Sequence, residues 1–384
     1  MKLRPLPPSR YVAKADAAVA AGEQELDEEL REVKAALGAR YAEVLRVFDY
    51  YCAQNGGMIE GNAAFAIGQN SYSKFIADAG LHDEKLTVET TSRIFVEVNV
   101  ETQKGTIEAD LNEDRGLTRF ELLETFVRFA TTKYEGQIAD VSDAVAKFVA
   151  EDLGPKLPKV ATFDRDDFRR DRLYNRETDR MLRTHLAPLK ALYALYGPSE
   201  GGKPTFNLGS LRRLLSDLAF LAWDIHCLSL PKVRLAFFNS RMVVVDEIKQ
   251  RHKFMTLSFI EFVEALARVA DSMNVPTDED LAKLGVASVV DLDLVVLEQK
   301  VDVSFLREKH GSADVMAESE RPLVEKLDRF LFHLFGRLGL RDGGSIKTPG
   351  STVSLIPRYI TREQLAAMSK VSDTLQSMQS KKDE

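Results

Sequence analysis

Residues 93–130 of the chain return at 233–270. "RIFVEVN", ending at Asn99, lines up with "VRLAFFN", ending at Asn239, and "LTRFELLETFVRFA" from Leu117 lines up with "LSFIEFVEALARVA" from Leu257. The offset is 140 throughout, without a gap, and Asn99, Leu117, Glu121, Glu124, Arg128 and Ala130 recur as Asn239, Leu257, Glu261, Glu264, Arg268 and Ala270. A chain that repeats itself on this scale must build like units that bury like faces.

A second rhythm sets how each unit begins. "FDYYCAQNGG" from Phe48, "YALYGPSEGG" from Tyr193 and "FGRLGLRDGG" from Phe335 each close an apolar-periodic helix on a glycine pair. Glycine supplies the positive φ that stops a helix. A polar loop and a second helix follow each copy: "YSKFIADAG", "GSLRRLLSDLAFL" and "TREQLAAMSKVSDTL", the last with a Thr361/Gln364 capping box. Apolar residues at helical spacing, such as Leu122, Phe126 and Phe129, mark one buried face. The expectation is an all-α chain of two full four-helix units and a half unit. By region it divides into an extended arm and short helix over 1–38, helix–loop–helix pair 1 over 39–135 and a helical connector over 136–180. Pair 2 follows over 181–275, then a second connector over 276–320 and the half unit over 321–384. Within the connectors, a helix from about Ile138 should stop at Gly154 and Pro155, and "PTDEDLAKLG" should form a short capped helix closed by Gly285.

One loop carries the pattern of a metal site. In "DLNEDRGLTRFE", Asp110, Asn112 and Asp114 fill the first three ligand positions of a twelve-residue calcium loop, and Glu121 fills the twelfth. Leu117 holds the eighth, where an apolar residue meets the partner loop. The sixth position should be the glycine that makes the tight turn. Here it is Arg115, which such a turn would force into a left-handed conformation at about 1 kcal/mol, and the glycine has moved to Gly116. The equivalent stretch of the second unit, "QRHKFMTLSFIE", keeps the apolar residue and the glutamate and has none of the other ligands. The loop frame therefore persists without the metal chemistry, and at most a weak calcium site is expected in the first unit. No cofactor is required.

Other candidate chemistry is thinner still. "GPSEG" at 197–201 matches the nucleophile-elbow spacing, but it follows a helix and occupies the repeated glycine loop, where the motif needs a preceding strand. "WDIHC" at 223–227 places Asp224, His226 and Cys227 too close together to face one metal from a helix, and a packed corner around Trp223 is expected. There is no phosphate loop or dinucleotide fingerprint, so the chain reads as a non-enzyme. A net charge of −7 argues against broad nucleic-acid binding. Two cysteines, Cys52 and Cys227, make no disulfide framework and point to a reducing compartment. With neither an apolar leader nor an apolar run of about 18 residues, the expectation is a cytoplasmic protein without a membrane partner.

"IFVEVN…LTRFELLETFVRFATTKY", "LYNRETDRMLRTHLAPLKALYALYG" and the bridge "EDLGPKLP" together resemble EF-hand-fold proteins of motile cilia and flagella, in which helix–loop–helix pairs with inserted loops recur along the chain. The resemblance spans roughly 40–275, with a weaker echo at 321–375. It implies repeated EF-hand-like pairs that have mostly lost calcium, in a structural microtubule inner protein. Its expected partners are tubulin and other axonemal proteins of the doublet microtubule, with no nucleic acid. Two alternatives stay open: a calcium sensor, which would expose a methionine-rich groove on binding the ion, and a cytosolic adaptor. The nine methionines are scattered rather than clustered.

Overall fold

A helix can stand in a small unit only if its ends are satisfied and one face is covered. The computed structural model describes residues 19–57, 61–100, 115–197, 199–200, 203–221, 226–287, 289, 292, 305–306, 321–341, 345–348 and 351–354. These are mostly helical, and every strand pairing among them is a two-stranded antiparallel piece. They form two compact units, one of residues 1–163 with Asp246–Gln250, the other of residues 164–245 and 251–384. No described helix is long and apolar enough to cross a membrane.

In the first unit, α1 (Val19–Ala39) and α2 (Tyr41–Ala53) are followed by the two-residue strand β1 (Ile67–Gly68) and α3 (Gln69–Asp78). Then come α4 (Val88–Asn99), β2 (Gly116–Leu117), α5 (Arg119–Lys133) and α6 (Val141–Lys147), which continues as a π-helical turn over Phe148–Leu153. β1 and β2 pair antiparallel, Ile67 opposite Leu117 and Gly68 opposite Gly116. Ile67 and Leu117 are fully buried, and around them Tyr51, Phe75, Phe126, Phe129 and Phe148 form the aromatic core. Phe126 and Phe129 both reach Phe148, at 5.9 and 6.1 Å between ring centroids. The expected face of Leu122, Phe126 and Phe129 is thus the buried one.

In the second unit the succession helix, strand, two helices, strand and helix recurs, interspersed with a hairpin and a short helix. A short α7 (Arg165–Asp167), continued as a π-helical turn over Phe168–Leu173, and α8 (Arg176–Thr184) lead into α9 (Leu186–Tyr196). A small hairpin of β3 (Ser199–Glu200) and β4 (Lys203–Pro204) occupies the loop that follows. β5 (Phe206–Asn207), α10 (Leu208–Asp217), α11 (Leu230–Ser240), the short α12 (Arg251–Met255), β6 (Thr256–Leu257) and α13 (Phe259–Ser272) complete the pair. β5 meets β6 with Phe206 opposite Leu257. Asn99 is the last residue of α4 and Asn239 the penultimate one of α11, while Glu121 and Glu261 both stand at the third position of the helix after the bridge. Leu257 and Phe262 lie in the core.

Several expectations need correction. The N-terminal helix is not short: α1 runs 21 residues and buries Val33 and Leu37. The connector expected over 136–180 is not a separate body. It divides after Phe163, because Phe148 packs into the first aromatic core while Arg169 and Arg172 are clamped to α13 of the second unit. The expected half unit also belongs to the second unit. Its helix α15 (Leu323–Arg341) packs on α13 and α8, and the loop beyond it holds a hairpin of β7 (Ser345–Thr348) and β8 (Ser351–Ser354). β-branched Ile346, Thr348, Thr352 and Val353 favour that hairpin over the plain polar loop expected. Elsewhere the connectors follow their caps. Asp140 caps α6, which stops at Gly154, and Thr277 caps α14 (Asp278–Lys283), closed by Gly285 at φ +68°. Residues 1–18 of the region expected as arm and short helix, and the helix expected from Thr361, lie outside the described residues.

The bridge of the first unit depends on two glycines facing each other. A Cβ on Gly116 would stand 3.0 Å from the Ala66 Cβ and 3.3 Å from the Ile67 carbonyl oxygen. Gly116→Val should therefore separate β1 from β2 and destabilise the first unit by about 1–3 kcal/mol, read as a lower denaturation midpoint with faster amide exchange at 66–68 and 116–118. An unchanged midpoint would mean that the bridge contributes little.

Candidate functional site

The proposed metal loop is seen from its C-terminal half; Asp110, Asn112 and Asp114 lie outside the described residues. Glu121 is fully buried. Its Oε2 accepts the Thr118 backbone N–H at 2.8 Å and the Thr118 hydroxyl at 2.7 Å, so one oxygen of the expected twelfth ligand closes the start of α5. Arg115 does not take the left-handed conformation that a sixth-position calcium turn requires: among the described residues only Ala219 and Cys227 do so without being glycine. Gly116 is explained by the close approach to Ala66 and Ile67 rather than by such a turn. Among the described residues no group of three or more His, Cys, Asp or Glu could hold a metal ion.

The equivalent loop of the second unit closes with its own groups. Glu261 Oε2 accepts from Ser258 N and Oε1 from Met242 N, both at 2.6 Å. The carboxylate thus ties the first residues after α11 to the start of α13, joining the two ends of the loop. Arg241, buried beside it in sequence, stacks its guanidinium over Phe238 at 4.8 Å and Phe254 at 4.5 Å and donates to the Phe254 carbonyl. Charge is present in this loop, supplied by a side chain. The first unit likewise places a guanidinium beside its bridge: Arg119 is buried in an ion pair with Glu247 at 3.1 Å.

A groove in the second unit is the feature the sequence reading missed. It encloses about 590 Å³ between the end of α7, α8, the start of α9 and the first turns of α13. Tyr174, Leu182, Leu186, Phe259, Ile260 and Val263 form its apolar walls. Three of these are large and exposed, Tyr174 at 65%, Leu186 at 42% and Ile260 at 73% of their surface. Volumes of this size suit an inserted side-chain cluster or an apolar ligand. Two arginines fix the wall that carries Tyr174. Arg169 meets Glu264 at 2.9 Å and the carbonyls of Asn239 and Ser240 at 3.3 Å, while Arg172 meets Asp271 at 2.7 Å. Asn175 then caps α8 by accepting from Thr178 N at 2.9 Å. The signal was present in "FDRDDFRRDRLYNRETDRML", where Phe168, Leu173, Tyr174 and Leu182 break the charge run, but the segment reads as a mixed-charge bridge.

The remaining sequence candidates are placed as follows. His226 is buried, with its ring 5.4 Å from Phe220 and 5.6 Å from the His333 ring and its Nδ1 3.3 Å from the Asn274 carbonyl oxygen. Trp223 and Asp224 lie outside the described residues. Ser199 of "GPSEG" sits in the β3–β4 hairpin rather than in a strand-to-helix turn.

If Glu261 closes its loop unaided, Glu261→Ala should speed amide exchange at Met242 and Ser258 by about 10-fold, the effect of losing a hydrogen bond worth about 1.4 kcal/mol, equally with calcium or with a chelator. Slowing by calcium in the native chain would mean that an ion, not the backbone, is the partner. No family model, curated protein or solved structure matches the chain, so the chemistry of its two units is what bears on their work.

Proposed function

We propose that the protein is a non-catalytic scaffold of EF-hand-like helix–loop–helix pairs, which lines ciliary or flagellar doublet microtubules and binds tubulin and neighbouring luminal proteins. The observation that carries the reading is the closure of the Glu261 loop by backbone amides at both of its ends. A pair closed in this way keeps one shape whatever the calcium concentration, as a lattice component must. The equivalent position of the bridges and of Glu121 and Glu261 in both units supports the pair architecture. The resemblance of "LTRFELLETFVRFATTKY" and "LYNRETDRMLRTHLAPLKALYALYG" to ciliary EF-hand-fold proteins supplies the location. Repeated helical pairs suit a scaffold that holds partners through grooves and faces.

Axoneme fractionation tests the location. The protein should survive detergent and high salt and leave only when the doublets themselves dissolve, and its density should lie inside the doublet wall. Complete release by detergent would favour a cytosolic adaptor instead.

Calcium titration of the full chain tests the rest. At most one ion per chain is expected, weaker than a sensor site, with Kd above about 10⁻⁵ M. Asp110, Asn112, Asp114 and Glu121 would hold it. Submicromolar binding that disappears in Glu121→Gln would instead establish a calcium sensor.

A further inference from the structure

The groove of the second unit combines apolar walls with a lone positive charge. Tyr174, Leu186 and Ile260 stand around it as large exposed apolar side chains, and clustered apolar exposure of this kind marks a docking surface. Four charged side chains also line it: Arg176, Asp179, Arg183 and Glu264. Three of them are already paired. Asp179 meets Arg183 at 2.8 Å, while Glu264 meets Arg169 at 2.9 Å and Arg268 at 2.8 Å. Arg176 is exposed and forms no ion pair among the described residues. It is also the first residue of α8, so the positive end of that helix lies beside its guanidinium. Of the charges that line the groove, this one is left uncompensated.

We infer that the groove binds an amphipathic helix of another protein, with apolar side chains in the cleft and a carboxylate against Arg176. The walls favour a helix over a strand. α8, α9 and α13 supply most of them, and a helix bonds its backbone groups within itself, so these walls offer an extended peptide no sheet edge to join. The cleft holds about 590 Å³, yet Tyr174 and Ile260 stay mostly exposed at its rim. That shape suits side chains inserted from a partner surface better than a small molecule, which is buried on nearly all sides when bound. Helix-in-groove docking uses anchors three, four and seven residues apart, a span of about 10 Å. α8 has nine residues, about 13 Å, and so walls the full span. The apolar anchors supply the affinity, because an exposed ion pair adds little. The carboxylate sets the orientation and discriminates against basic helices. This site goes beyond the proposed scaffold role and does not depend on it, since its binding is measured on the purified chain and the axonemal location by fractionation.

The test uses the full chain and three synthetic peptides, with binding followed by calorimetry. The first peptide is an amphipathic helix with leucines at i, i+3, i+4 and i+7 and glutamates on both flanks. The second carries lysine at each glutamate, and the third scrambles the first. The glutamate peptide should bind, the lysine peptide about 5-fold more weakly, and the scrambled peptide not at all. Arg176→Glu should reverse the preference between the two charged peptides and leave the denaturation midpoint unchanged. Ile260→Asp, made at an exposed position, should weaken the glutamate peptide by about 10-fold or more. Equal binding of the two charged peptides, or no binding of either up to about 1 mM, would overturn the inference. So would self-association of the full chain that disappears in Ile260→Asp, which would assign the groove to a second copy. Saturable binding of dodecanoate that excludes the glutamate peptide would assign it to a fatty acid and overturn the inference as well.

Discussion

Each unit turns on a bridge only two residues long. Ile67 with Leu117, and Phe206 with Leu257, bring two loops together at one buried apolar contact. Two residue pairs supply too few hydrogen bonds to hold a sheet, so the bridge survives because the flanking helices bury it. The units strengthen it differently. In the first, Asn55 donates to the Ala66 carbonyl at 2.7 Å and accepts from Gly68 N at 2.9 Å, fixing β1 so that Gly116 can close on it. In the second, Tyr193 stacks on Phe206 at 5.5 Å and donates to the Leu257 carbonyl at 2.8 Å, while Phe262 packs on Phe206 at 4.5 Å. Polar stapling and aromatic packing thus reach the same geometry by separate routes.

The repeated Glu–Arg pair shows how like sequences diverge around a fixed frame. Glu124 with Arg128, and Glu264 with Arg268, are each joined at 2.8 Å one helical turn apart. In the first unit the third member is an acid, Glu97, at 2.9 Å from Arg128. At the equivalent position the second unit has Phe237, and its third member is instead a base, Arg169, which forks onto Glu264. Arg268 then lies over Phe168 at 4.3 Å and donates to the Arg165 carbonyl at 2.7 Å. Burial lowers the pKa of Arg268 while Glu264 opposes the shift. One carboxylate shared by two guanidiniums can hold the π-helical turn of Phe168–Leu173 against α13, and that turn sets Tyr174 at the rim of the groove. Removing one partner from a buried cluster of this kind leaves an uncompensated charge, which costs far more than an exposed pair is worth.

The helices were legible because their signals are local. Apolar periodicity placed Leu122, Phe126, Phe129, Leu257 and Phe262 inside, and the capped helix expected in "PTDEDLAKLG" starts at its Thr277 cap, while the helix expected from about Ile138 starts at Val141 behind the Asp140 cap. Where the chain divides was not legible, because nothing near residue 163 punctuates the sequence; the division follows from which core takes Phe148 and which takes Arg169. The loop was half legible. Spacing alone marked Glu121 and Glu261, but a glutamate three residues into a helix satisfies a metal loop and a capping box with the same sequence. Only the backbone amides of Thr118, Ser258 and Met242 reveal the second use. The groove was hidden because its walls come from residues 173–189 and 259–264, far apart in the chain and each unremarkable alone.

The same physics separates what must stay fixed from what can exchange. The bridges and the Glu264 cluster are buried and joined by charged or aromatic contacts, so opening them exposes groups that water cannot easily repay. The groove is different. Its gain on filling is apolar area on a few side chains, which is of the same order as the conformational entropy lost in ordering a short helical segment. Filling it needs no change in the bridges, because neither Phe206 nor Leu257 lines the groove. An architecture built this way can stay rigid at its loops while one apolar face is filled or left open without cost to them.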